Sequence, residues 1–170
     1  MSNQCIYFVE GQCEKKLLDA LRQSPALVVP GKVIVYNVIQ RLIPESRLYS
    51  IKPGTRVTLV FDTDKSETKY LKRNIELLRQ YDSSFEIIYL SQVRNFEDEI
   101  VRSTDVIKAE HLTQSKSKSE FKSDFCKLKD SDCRQTLVRH HFDIQKIWVT
   151  GVPEDFSFFE LNSSLIKMKM

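Results

Sequence analysis

The sequence predicts an α/β protein built on a parallel sheet, and three observations carry that prediction. Four stretches rich in β-branched and aromatic residues recur along the chain, at 5–9, 33–36, 57–61 and 85–90. Largely unbroken apolar runs of that length suit parallel strands covered on both faces. Segments with helical spacing alternate with them, which implies right-handed crossovers between neighbouring parallel strands. Acids also stand where two of the runs end: Glu10 after the first, Asp62 and Asp64 after the third.

Taken in order, Cys5 to Val9 is the first strand. Gly11 marks a tight turn into a helix from Gln12 to Leu21, with Leu17, Leu18 and Leu21 on its apolar face. A loop with a turn at Pro30-Gly31 leads to a second strand, Val33 to Tyr36. Val38, Ile39, Leu42 and Ile43 have helical spacing, so a short helix closed by Pro44 is expected. The third strand, Val57 to Phe61, follows a Pro53-Gly54 turn. A helix from Glu67 to Gln80 comes next, with Tyr70, Leu71, Ile75, Leu77 and Leu78 as its stripe. Phe85 to Leu90 is the fourth strand, and Asn95 is a fitting N-cap for the acidic helix after it. From Thr113 to Lys129 serine and lysine dominate; Lys116 to Ser119 reads as a loop, with a helix beyond it carrying Phe121, Phe125 and Leu128. Another helix is expected over 132–142 and a further strand over 146–149. The tail holds Phe156, Phe158, Phe159, Leu161, Leu165 and Ile166 without a clean period, and is expected to pack on the domain or on a partner. This gives one unit over 1–110 and a helical, aromatic-rich extension over 111–170.

The 170 residues suit one domain with a sizeable core. Hydrophobic content of 41% and charged content of 29% are those of a soluble globular chain. A net charge of +3 permits nucleic acid as a partner without demanding it. No apolar run reaches the ~18 residues of a membrane span, and Met1 to Gln4 lacks the features of a signal peptide, so a cytoplasmic protein is expected. Four cysteines without a CxxC pair fit reduced thiols. The spacings of Cys126, Cys133, His140 and His141 match no common zinc pattern.

The acids carry the chemistry. Ligands bind open α/β sheets at the C-terminal ends of strands. Carboxylates gathered there repel one another unless a cation or proton sits between them, and hard oxygen donors suit Mg2+ or Mn2+. Glu14, four residues after Glu10, points the same way on a helical turn. Each acid has a plainer reading as a helix-capping group, favoured by the helix dipole. Lysines between 116 and 129 read either as phosphate contacts or as solvated surface.

Phe8-Val9-Glu10-Gly11-Gln12-Cys13-Glu14-Lys15 resembles the first motif of the TOPRIM domain, and Val60-Phe61-Asp62-Thr63-Asp64 resembles its second. TOPRIM domains occur in topoisomerases, DnaG-type primases, small ribonucleases and phage-defence nucleases. The resemblance covers roughly residues 4 to 103. The acids from Asn95 to Glu99 make the chain most similar to OLD-type and RloB-like nucleases, although the OLD ATPase domain has no counterpart here. It implies a Rossmann-like TOPRIM sheet of about four strands and a Mg2+- or Mn2+-dependent endonuclease of a prokaryotic anti-phage module. Glu10, Glu14, Asp62, Asp64 and Glu97 would be metal ligands, with Asp98 or Glu99 alternatives to Glu97. Glu10, Asp62, Asp64 and Lys122 would be catalytic. DNA or RNA would be the substrate; a defence-system ATPase or a second copy would be the protein partner. Two rivals remain: a silent TOPRIM-like subunit of a larger complex, and a haloacid-dehalogenase-like phosphatase using Asp62 as nucleophile, which would leave Glu10-Gly11 without purpose.

Overall fold

A computed structural model describes residues 4–168. Its centre is a four-stranded, wholly parallel sheet of β1 (Cys5–Val9), β2 (Lys32–Val35), β3 (Arg56–Asp62) and β4 (Glu86–Gln92), in the order β2-β1-β3-β4. The helices are α1 (Gln12–Leu21), α2 (Glu45–Leu48), α3 (Lys69–Tyr81), α4 (Phe96–Ser103), α5 (Ala109–Thr113), α6 (Lys118–Lys127) and α7 (Asp130–Arg139). The expected fold class holds: an α/β chain with a four-stranded parallel sheet covered by helices.

Strand alternation makes two cores. Tyr7, Val9, Val60, Ile88 and Leu90 face α1, α4, α6 and α7. Phe8, Leu59, Phe61 and Tyr89 face α3, the segment from Tyr36 to Ile51, and the tail. The chain runs from β1 outward to β2, then returns past β1 to β3. That reversal leaves a crevice between the C-terminal ends of β1 and β3, where ligands bind in such sheets. The core beneath α1 and α4 draws residues from Cys5 to Ile166, so segments before and after residue 110 share it.

Three local expectations give way. Residues 38–43 form turns rather than a helix. Their backbone groups are claimed from elsewhere: the Ile43 N–H donates to Asn74 Oδ1 at 2.7 Å, and Asn74 Nδ2 donates to the Val38 and Arg41 carbonyls at 2.9 Å each. Asn37 Oδ1 accepts from the Ile39 N–H at 3.0 Å, and Pro44 starts α2 instead of closing a helix. Residues 146–149 form a turn, not a strand. Trp148 has φ +58°, and its N–H donates to Glu99 Oε2 at 2.9 Å. Lys116 to Ser119 is no loose loop. Ser117 caps α6 through the Glu120 N–H, and the Lys116 N–H donates to Glu120 Oε2.

The tail folds back on the sheet. Phe156 and Phe159 are buried against Phe61, and Phe159 stacks on Tyr89 at 4.5 Å. Asn162 treats β4 as a strand would: it accepts from the Tyr89 N–H at 2.8 Å and donates to the Ile87 carbonyl at 2.9 Å. An exposed strand edge is a template for unwanted pairing, and this contact occupies part of it. Beyond α7 the extension consists of turns and two 3-10 turns, Glu154–Phe156 and Ser163–Ile166, so it is helical only in its first part.

Candidate functional site

Four segments place acids at the crevice. Glu10 follows β1 and lies next to the start of α1. Asp62 is the last residue of β3, and its N–H donates to Glu10 Oε2 at 3.3 Å, which ties the two strand ends together. Asp64 stands two residues on, in the exposed loop before α3. Glu14, in the first turn of α1, is buried, and its Oε2 accepts from the Gly11 N–H at 3.0 Å. The absence of a side chain at Gly11 leaves room for that carboxylate. The Gly11 backbone is extended, and an added Cβ would stand 3.2 Å from Glu14 Oε2. Glu97 enters from the first turn of α4, capped by Asn95, whose Oδ1 accepts from the Asp98 N–H.

The acids on α4 separate by direction. Glu97 turns into the crevice, 3.2 Å from Lys122 Nζ and 3.8 Å from Lys118 Nζ. Glu99 turns away and is wholly buried. It accepts from the Val93 and Trp148 N–H groups and pairs with Arg102. Glu99 is therefore a brace for the loop after β4. Asp98 is half-buried.

Electrostatics mark Asp62 as the centre. Its burial, followed by the charges of Glu10, Glu14, Asp64 and Glu97, pushes its carboxyl up to about 9. Glu14 is also held above the ordinary carboxylate range, first by burial and then by Glu10. Burial alone would lower Lys122, but the Glu97 carboxylate, with Cys13 and Asp62 behind it, holds its ammonium above the usual value. Protons, cations or amide donors must therefore balance the cluster. One such donor is Gln92, a fully buried residue at the end of β4 that nothing in the sequence pattern singled out. Turned with its nitrogen toward the acids, its amide donates to Asp62 Oδ1 at 2.8 Å and Glu14 Oε1 at 3.2 Å. Only the neighbouring strand end could supply that clue, since β4 pairs Gln92 with Asp62 in register.

Glu10, Glu14, Asp62 and Lys122, with Cys13 and Phe96, line a small cleft of about 160 Å³; Asp64, Gln92 and Glu97 stand outside its walls. The donor set has the chemistry of a hard divalent cation site. It is all oxygen and mutually repulsive, and Glu97 Oε1 is buried without an aligned hydrogen-bond donor. Among the described residues, no three His, Cys, Asp or Glu side chains stand in the arrangement of a preformed metal cage. His140 and His141 instead flank Asp105 at 3.0 and 2.7 Å, while Cys133 is in the core. A larger cleft of about 680 Å³, between β4 and the tail, holds none of the expected site residues.

Fold and site together define an α/β protein with an acid-lined crevice at the point where its strand order reverses. No family model, curated protein or solved structure matches the chain. Among the described residues, no helix is long and apolar enough to cross a membrane.

Proposed function

We propose that this protein is a divalent-metal-dependent phosphodiesterase of the TOPRIM type that cleaves DNA or RNA. The observation that carries the reading is the gathering of Glu10, Glu14, Asp64 and Glu97 around a buried Asp62: burial first, and then their charges, push that carboxyl up to about 9. A structural helix cap has no need of such a convergence, whereas a cation site requires it. Glu10, Asp62, Asp64, Glu14 and Glu97 would hold Mg2+ or Mn2+, which supplies charge neutralisation and a more acidic bound water. Glu10, at the end of the first strand, would accept the proton of the attacking water. Attack at phosphorus breaks one P–O ester bond, and the leaving oxygen takes up a proton. Lys122 and Lys118 offset the acids and attract the phosphate backbone that the acids alone would repel. The motif resemblance supports a place in an anti-phage module.

The test is cleavage of single- and double-stranded DNA and RNA with Mg2+ or Mn2+, comparing the native chain with Asp62→Ala and Asp64→Ala. Cleavage that disappears in both variants is expected; undiminished cleavage in either removes the assignment. A silent subunit is the second reading, favoured by the Gln92 amide that already bridges Asp62 and Glu14. It predicts no heat of Mn2+ binding and no cleavage by the native chain.

A further inference from the structure

Two thiols beside the cleft have no part in that chemistry. Cys13, in the first turn of α1, and Cys126, on α6, are both free, and their Sγ atoms lie 3.3 Å apart. They are 113 residues apart in sequence, so only the fold brings them together. Each sits beside a residue of the crevice. Cys13 precedes Glu14, and Cys126 lies one helical turn beyond Lys122, whose carbonyl is 3.8 Å from Cys13 Sγ. Cys13 is 8% exposed, whereas Cys126 is half-buried and opens onto a shallow cleft of about 160 Å³ lined by Gln12, Lys15, Lys16 and Asp19. The other cysteines are enclosed: Cys133 is fully buried, and Cys5 is buried with its sulfur against Thr58 Oγ1.

We propose that Cys13 and Cys126 form an oxidative modification site, at which a hydroperoxide converts the thiol pair into a disulfide that fastens α1 to α6. The more open thiol, Cys126, loses its proton and attacks the peroxide O–O bond. This gives a sulfenic acid and releases the first water, or an alcohol from an organic hydroperoxide. Cys13 sulfur then attacks the sulfenic sulfur, the S–S bond forms, and the hydroxyl leaves with the Cys13 proton as water. In sum, two thiols are oxidised and one peroxide is reduced, with no other reactant. The sulfurs need to close by only ~1.3 Å to reach bonding distance. The cross-link joins the helix that carries Glu14 to the helix that carries Lys122, so the crevice walls lose freedom to part. The proposal stands on the thiol geometry and does not depend on phosphodiesterase activity.

The reduced, chelator-treated full chain is exposed to hydrogen peroxide and analysed by intact mass and non-reducing peptide mapping. Loss of two hydrogens, a Cys13–Cys126 peptide and reversal by dithiothreitol are expected. The cross-link should persist in Cys133→Ser and vanish in Cys126→Ser, whose unaltered circular dichroism shows that folding is retained. The oxidised chain should also unfold at higher urea than the reduced one. Sulfinic acid on Cys126 without a cross-link, pairing of Cys126 with Cys133, or only intermolecular dimers would each overturn it.

Discussion

Replacing Asp62 with Asn should make the metal-free protein more stable, and increasingly so as pH rises. Asp62 keeps its proton in the folded state up to about 9, while the unfolded chain releases it near 3.8. Above 3.8 the unfolded state therefore binds fewer protons than the native one, and stability falls with pH until the folded carboxyl ionises near 9. The full interval corresponds to about 7 kcal/mol at ~1.4 kcal/mol per pH unit. Asp62 keeps some solvent contact and the acids around it can move apart, so about half, ~3 kcal/mol, is the expected loss. Asparagine escapes this loss. Its oxygen can still accept from Gln92, and its amide nitrogen can donate toward Glu10 or Glu97. Urea unfolding with a chelator, at about pH 4.5 and about pH 8.5, measures the difference. The variant should match the native chain at the lower pH and exceed it by ~3 kcal/mol at the higher. Parallel stability across the interval would refute the reasoning, because neither burial nor the neighbouring acids would then be holding the Asp62 proton.

Mn2+ should raise the melting temperature of the native chain, and Asp62→Asn or Glu97→Gln should abolish most of that rise in differential scanning fluorimetry. Glu99→Gln should act indirectly: it removes the buried partner of Arg102 and loosens the loop that positions Glu97, so it should cost ~3 kcal/mol in urea unfolding and weaken the metal response without abolishing it. Lys122→Ala should lower stability by ~1 kcal/mol: the lysine is half exposed, but its loss leaves the buried Glu97 carboxylate without its nearest ammonium. The substitution should also weaken nucleic-acid binding and make its salt dependence shallower by about one counterion, read by fluorescence anisotropy across salt concentrations. Asn162→Ala removes both hydrogen bonds on the β4 edge, at a cost of ~1–3 kcal/mol, and light scattering should report more association as that edge opens.

What the sequence disclosed follows from how local each signal is. The four strands were legible because an apolar run declares itself without reference to the rest of the chain. Glu10 and Asp62 were legible because strand ends can be counted off those runs. The segment around Val38 to Ile43 misled because its apolar spacing fits a helix, while its carbonyls are taken by Asn74 from thirty or more residues away. Trp148 misled similarly: its run looks like a strand, but its N–H belongs to Glu99. Gln92 carries no composition signal. Its role arises from the register of β3 and β4, which the sequence does not state. The Cys13–Cys126 contact likewise depends on how α1 and α6 pack.

The two acids of α4 connect the extension to the crevice. Glu97 and Glu99 are two residues apart, so on a helix they point to different sides. One faces the cluster, and the other is buried among Val93, Arg102 and Trp148. Trp148 is itself buried in the core that also holds Ile147 and Ile166. The turn at 146–149 thus fixes Glu99, Glu99 fixes the loop between β4 and α4, and that loop sets where Glu97 enters the crevice. α6 reaches the same place from the other side, with Phe121 and Phe125 packed on Phe96 while Lys122 meets Glu97. The acids at the switch point all come from the first hundred residues, but the cores on both faces of the sheet are completed by residues beyond 110. The pairing of Glu97 with Lys122, and the thiols that flank it, exist only because the remaining chain closes over that edge.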